Sequence, residues 1–168
     1  DISVKPFSIL LEPFGRNTAP AITIAALKAL ESKNDSDPIL LVLSSDHEIK
    51  DKKNFLDLVN QGIDYANKNR LVTFGVIPES AHTGYGYIKS ENPFDENRIT
   101  GENIIEFIEK PSLKRAEEFL KDKRFTWNSG IFMFKSKEII KEINKFSPEL
   151  LLCCRNSIGK SKFDLVFQ

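Results

Sequence analysis

Apolar and polar positions follow two different rhythms along this chain. Ile39-Leu-Leu-Val-Leu43 is apolar without interruption between Pro38 and Ser44, the pattern of a strand covered on both faces of a parallel sheet. Helical spacing follows, with Phe55, Leu58, Val59, Ile63 and Ala66 recurring on one face. Leu71-Val-Thr-Phe-Gly-Val-Ile77 then returns to strand character. A strand, helix and strand in this order predict a parallel α/β sheet.

The remaining segments extend the alternation. A helix is predicted from about Ala19 to Ser32, with Asn17 or Thr18 as N-cap and Pro20 in the first turn, where its missing N–H costs nothing. Two extended segments, Gly86 to Ser90 and Asn103 to Glu109, come later. Ser112 is placed to cap a helix through about Lys121, whose apolar face is Leu113, Ala116, Phe119 and Leu120. Gly130-Ile-Phe-Met-Phe-Lys135 is another apolar strand, and Ser136 is placed to cap a helix bearing Ile139, Ile140 and Ile143. From Ser147 the chain reads as helical and then irregular. No repeat or Ser/Gly-rich linker divides the sequence, which predicts one domain.

Bulk composition narrows the partners. The 168 residues are 40% hydrophobic and 29% charged, enough for one packed core. Equal totals of 24 basic and 24 acidic side chains provide no broad positive field, which argues against nucleic acid. No apolar run is long enough to span a bilayer, and the first residues lack the basic and apolar regions of a signal peptide, so no membrane is expected. The two neighbouring cysteines, Cys153 and Cys154, make no disulfide framework and are read as buried or half-buried thiols in a reducing cytoplasm. Self-association is compatible with the sequence without being specified by it.

Three polar constellations interrupt the apolar elements, and ligands of open α/β sheets bind beside the carboxyl ends of strands. The first is Leu11-Glu-Pro-Phe-Gly-Arg-Asn-Thr-Ala-Pro-Ala21, in which a short apolar strand, Ser8 to Leu11, delivers Glu12 into a Pro/Gly turn that opens a helix. A carboxylate only accepts hydrogen bonds, so Glu12 matches the adjacent N1–H and N2 amino donors on the pairing edge of guanine. Adenine, uracil and thymine cannot offer that donor pair, and such sites discriminate by ~10⁴-fold or more. The same residues also read as a surface turn capping a helix.

The second is Ser44-Ser-Asp-His47, directly after the buried strand. A strand-end carboxylate is placed to hold a hard cation against phosphates, although Asp46 there is equally a helix cap. The third is spread over Thr83-Gly-Tyr-Gly-Tyr87, Glu109-Lys-Pro111 and Trp127-Asn-Ser-Gly130. Gly86 admits a close backbone approach, Glu109 accepts from hydroxyls, Asn128 donates and accepts, and Lys110 supplies a point charge for a phosphate. Singly, each is also a turn or a strand-end ion pair. Trp127 reads as packing and His82 as a solvated loop residue.

The segment Glu12-Pro-Phe-Gly-Arg-Asn-Thr-Ala-Pro-Ala-Ile22 resembles a signature of mannose-1-phosphate guanylyltransferases, and the resemblance runs from about Ile9 to Ser147. It implies a Rossmann-like three-layer α/β/α nucleotidyltransferase fold with a mostly parallel central sheet, incomplete at both ends. It places guanine at Glu12, Asn17 and Thr18, with Arg16 and Asp46 also on the nucleotide. It makes Asp46 a Mg²⁺ ligand, with His47 orienting neighbouring groups or touching the sugar. The sugar 1-phosphate is implied at Tyr85, Gly86, Glu109, Lys110 and Asn128, with Asp46 and Lys110 as the catalytic pair. The implied substrates are GTP and mannose 1-phosphate, and the implied cofactor is Mg²⁺. Many relatives also carry a C-terminal cupin domain with phosphomannose isomerase activity, which makes a bifunctional parent an expectation.

Two parts of that family's pattern are missing. Its Gly-rich turn followed by Thr-Arg, which cradles the triphosphate, has no counterpart among the eight scattered glycines. Its second Mg²⁺-binding Asp has only Asp164, in Lys162-Phe-Asp-Leu165, as a candidate by position, in surroundings that do not match. These departures give the expectation that the 168 residues belong to a longer enzyme and are inactive alone. The rival expectations are a pyrophosphorylase for another sugar or base, and a non-catalytic relative that keeps the fold for regulation.

Overall fold

A computed structural model describes residues 5–6, 8–12, 15–31, 36–95 and 100–158. Its elements run α1 (Thr18–Ala29), β1 (Ile39–Val42), α2 (Lys52–Asn67), β2 (Val72–Val76), β3 (Tyr87–Ser90), β4 (Ile104–Ile108), α3 (Leu113–Phe119), β5 (Phe125–Lys135), α4 (Ser136–Phe146) and α5 (Pro148–Ser157). The chain divides into two compact units, one of Asp1–Pro38 with Lys135–Gln168 and the other of Ile39–Phe134.

The first unit packs α1, α4 and α5 against one another. Ile24 and Ala26 of α1, Ile140 of α4, and Leu151 and Cys154 of α5 are its buried apolar residues. Asn17 sits at the N-cap of α1 as expected, but its side chain makes no capping hydrogen bond. The predicted strand at Ser8 to Leu11 is absent: these positions carry no strand, and Ile9 and Leu11 are more than 70% exposed. Apolar content alone does not make a strand when no neighbouring edge offers hydrogen bonds.

Ser136 is the first residue of α4 rather than its cap. Its N–H and its Oγ both donate to the Pro38 carbonyl at 2.9 Å, and the Lys137 N–H donates to Asp37 Oδ1 at 2.8 Å. The free N–H groups of this helix mouth are therefore met from a distant stretch of chain, where local sequence carries no trace of them.

The second unit is a five-stranded sheet with α2 and α3. Its order is β1-β5-β3-β4, and β2 also pairs with β5. The β2–β5, β3–β4 and β3–β5 pairings are all antiparallel, so the expected mostly parallel sheet is not confirmed. Strand–helix–strand spacing fixes which faces are covered, not which edges meet. Here β1 and β2 each lie beside β5 rather than beside one another. β1 is half-buried along its length and Leu43 is 48% exposed, short of the two-sided cover its apolar run predicts.

Tyr87, Ile108, Ala116, Phe119 and Phe125 form a core beneath this sheet, with Ala81 and Trp127 packed on it. The Phe119 and Phe125 rings stack with centroids 4.1 Å apart. Helix α3 begins after Ser112, whose side chain makes no capping bond, and only Ala116 and Phe119 of its predicted apolar face are buried.

Candidate functional site

The elbow before α1 lies in the first unit. Glu12, Arg16, Asn17 and Thr18 are all exposed, while Pro13 and Phe14 fall outside the described residues. Asn17 holds φ 66° and ψ −173°, a backbone region that is nearly exclusive to glycine. Its side chain is not spent on capping α1. Behind the elbow, Cys154 is buried with its Sγ 4.0 Å from the Pro20 carbonyl. Burial pushes its thiol up to about 11, assisted by Cys153 and by the negative charge of Glu12. Cys153, expected to be at least half-buried, is exposed: it lies on the outer side of α5.

Asp46 lies in the turn after β1, in the second unit, where it is exposed and makes no hydrogen bond or ion pair with a described residue. Among the described residues no group of three His, Cys, Asp or Glu side chains is arranged to hold a metal. Mg²⁺ keeps several waters and commonly takes only one or two protein carboxylates beside substrate phosphates. A single unengaged carboxylate at a strand end fits that shared mode and not a cage built by protein alone. His47 lines a shallow cleft of about 570 Å³ with Glu48, Ile49, Lys52, Phe55 and Leu56, which none of the expected sugar residues borders. Asp164 lies outside the described residues.

Gly86, Glu109 and Asn128 come together, also in the second unit. The Asn128 N–H donates to the Gly86 carbonyl at 2.8 Å. A Cβ at Gly86 would stand 2.6 Å from Glu109 Oε2 and 3.6 Å from Asn128 Cβ, so the Glu109 carboxylate packs where a side chain would stand and the position suits glycine. Lys110 follows Glu109 with φ 45°, a left-handed value, and it precedes Pro111, whose ring restricts it further. Among the described residues three non-glycines have positive φ: Asn17, Asn69 and Lys110. Asn69 ends the turn after α2, an ordinary place for it, whereas the other two are candidate site residues.

The side chain of Asn128 is held by a bulge. While β2 advances from Thr73 to Gly75, its partner β5 runs from Phe132 back to Asn128, so β5 uses four residues where β2 uses two. Gly130, with φ 70°, makes this possible, and its N–H donates to Asn128 Oδ1 at 3.1 Å. Ser129 Oγ donates to the Phe74 carbonyl at 2.5 Å and accepts from the Ile131 N–H at 3.1 Å. Thr73 Oγ1 lies 3.5 Å from Asn128 Oδ1 and 3.2 Å from the Ile131 carbonyl.

Tyr85 has other company. Its ring stacks on His82 at 4.6 Å and meets Trp127 edge-on at 5.2 Å. Register pairs Tyr87 with Trp127, and side chains alternate along a strand, so Trp127 lies on the sheet face opposite Gly86 and Asn128. His82 is exposed as expected but is built into this ring cluster rather than simply solvated. Trp127 Nε1 is buried with no hydrogen-bond partner among the described residues. Thr73 escapes a sequence reading, because it acts across 55 residues of chain and belongs to no local motif; Ser129 lies inside Trp127-Asn-Ser-Gly130, but its bond to the Phe74 carbonyl, also 55 residues away, leaves no local trace.

A family model described as "Nucleotidyl transferase" matches residues 2–168. The chain is 41% identical over 95% of its length to a mannose-1-phosphate guanylyltransferase of Salmonella muenchen, and 40% identical over 95% to one of Escherichia coli K12. It spans about a third of the length of these curated relatives, 33% and 34%. Among solved structures it is similar to a mannose-6-phosphate isomerase from Helicobacter pylori, with TM-score 0.73 and 39% identity over 88% of this chain and 52% of that one. It is also similar to a protein titled mannose-1-phosphate geranyltransferase from Thermus thermophilus, with TM-score 0.80 and 27% identity over 94% of this chain and 45% of that one.

Proposed function

Because the chain belongs to the nucleotidyl transferase family, we propose that its parent enzyme transfers guanylyl from GTP to mannose 1-phosphate, giving GDP-mannose and pyrophosphate. The observation that carries this reading is the meeting of Gly86, Glu109 and Asn128 beside Lys110. A sugar presents hydroxyls that both donate and accept, and here an acceptor-only carboxylate and an amide side chain flank one glycine. Lys110 adds the positive charge that a sugar phosphate requires, on a backbone held in a conformation that unconstrained lysine avoids. The names of the relatives support mannose 1-phosphate as the sugar and a guanine nucleotide as the donor.

The residues then take separate tasks. Glu12 accepts from guanine N1–H and N2–H, with Asn17, Thr18 and Arg16 around the nucleotide. Glu109 and Asn128 fix the sugar, with the Gly86 backbone close against it, while the Tyr85 ring packs with Trp127 on the other face and takes no part. Lys110 holds the phosphate whose oxygen attacks the α-phosphorus of GTP in line, and the pyrophosphate leaves. Positioning and charge neutralisation account for most of the rate in such a transfer. Asp46 is the residue that would hold Mg²⁺, which when bound supplies Lewis-acid charge and a template for phosphate oxygens.

The reaction is assigned to the cytoplasm; among the described residues no helix is long and apolar enough to cross a membrane. The likeness to a protein titled mannose-6-phosphate isomerase supports a bifunctional parent. The test is a panel of GTP, UTP and dTTP against mannose 1-phosphate and glucose 1-phosphate with the purified parent enzyme. GTP with mannose 1-phosphate is expected to dominate, and Glu12→Gln to erode the preference for GTP. Equal turnover with UTP in the wild type refutes the assignment of the base.

A further inference from the structure

We propose that His82 is a positioning residue: its ring clamps the turn at residues 83–85 to Trp127 and so sets where the Gly86 backbone lies in the sugar 1-phosphate site. The inference rests on the sugar 1-phosphate reading above. The connection from β2 to β3 holds residues 77–86 in neither helix nor strand, and a Cβ at Gly84 would meet no atom within 4 Å. Ordering such a segment costs backbone entropy at every residue, so contacts elsewhere along it must hold it. They converge on His82. Its N–H is shared between the Ser80 carbonyl and Tyr87 Oη, each at 3.1 Å. Its ring stacks on Tyr85 at 4.6 Å and meets Trp127 edge-on at 5.5 Å.

Tyr85 and Trp127 also touch, at 5.2 Å, so the three rings close on one another. Tyr87, which accepts the His82 N–H, is fully buried, and Trp127 packs on the same core. The turn is therefore fastened to the core through His82 at two points. Gly86 follows Tyr85 directly, and its place tolerates little movement. Its carbonyl accepts from the Asn128 N–H at 2.8 Å, and the Glu109 carboxylate stands where a Cβ would be. The ring cluster lies on the Trp127 face of the sheet, opposite the Asn128 side chain. His82 thus reaches the sugar only through the backbone from Tyr85 to Gly86, and what it supplies is a ring surface rather than a nitrogen.

The test uses the full-length parent enzyme and its His82→Ala, His82→Phe and Tyr85→Ala variants, with the His82→Ala/Tyr85→Ala double variant, and KM is measured separately for the sugar 1-phosphate and for GTP. Both side chains are exposed, so these changes take nothing from the buried core. His82→Ala is expected to raise the sugar-phosphate KM about three- to tenfold, the range that an aromatic pair is worth, with the GTP KM unchanged. His82→Phe keeps a ring without the nitrogens and is expected to stay within about twofold of the wild type. Because the clamp works through Tyr85, adding His82→Ala to Tyr85→Ala is expected to raise that KM by less than about twofold further. The proposal is overturned if His82→Ala raises both KM values equally or neither, if His82→Phe behaves as His82→Ala does, or if the effects of the two alanine changes multiply in full. If the same split appears with a different sugar 1-phosphate, the mannose assignment fails and this inference stands. An enzyme that uses no sugar 1-phosphate removes both.

Discussion

Replacing Lys110 by glycine should make the protein more stable and less active at once. At φ 45° and directly before Pro111, lysine occupies a backbone region that side chains rarely adopt. Such positions hold about 1–3 kcal/mol of strain. Glycine removes that strain and gives back about 0.5–1 kcal/mol through its looser unfolded chain. The net gain is about 0–2.5 kcal/mol, a rise of up to roughly 10 °C in the melting temperature of a domain this size. Losing the ammonium removes a charge-assisted contact worth about 1.5–3 kcal/mol, so kcat/KM for the sugar phosphate should fall about 10- to 150-fold. The assay pairs thermal unfolding with initial rates for Lys110→Gly and Lys110→Asn. Asparagine tolerates left-handed backbone but has no charge, so it should match the glycine variant in activity. A Lys110→Gly protein that melts below the wild type, or that melts higher with turnover intact, refutes the link between strain and phosphate binding.

Asp46→Ala in the parent enzyme should abolish turnover while nucleotide binding, followed by equilibrium titration, is partly kept. Wild-type rates at saturating Mg²⁺ would remove Asp46 from the metal site. The adjacent cysteines should separate by reactivity: at pH 8, alkylation mapped by mass spectrometry should label exposed Cys153 and spare buried Cys154, whose thiol is pushed up to about 11. The unfolded chain gives up the Cys154 proton first, so that residue's contribution to stability is complete below about pH 9 and is lost as pH rises toward 11. A denaturation midpoint that rises between these values refutes the sign.

The sequence exposes the parts of this fold that are local. α2 is legible because its apolar spacing repeats over four turns, and β2 because its residues are strand formers bounded by polar turns. Edges are another matter, since nothing in 39–43 or 71–77 records that both strands pair with β5. The cap of α4 is hidden for the same reason: Ser136 has the right chemistry for a cap, but Asp37 has the right position. At the site, Gly86, Glu109 and Asn128 are found from motif likeness, and the fold brings them together. The strain at Asn17 and Lys110 is invisible in sequence, because both residue types are common and only the backbone around them makes these positions unusual. Tyr85 illustrates the converse: it lies next to Gly86 in sequence, yet its ring keeps company with His82 and Trp127.

The stitch between residues 37–38 and 136–137 also bears on how the chain is made. A helical bundle whose first member precedes Ile39 and whose last two follow Phe134 cannot close while the ribosome is still adding the strands between. During synthesis α1 must wait for α4 and α5 to pack against it, and the segment inserted between these partners has the earlier opportunity to fold. Nascent chains stalled shortly after Phe134 should therefore expose that helix to chaperones and proteases, and chains extended past α5 should not.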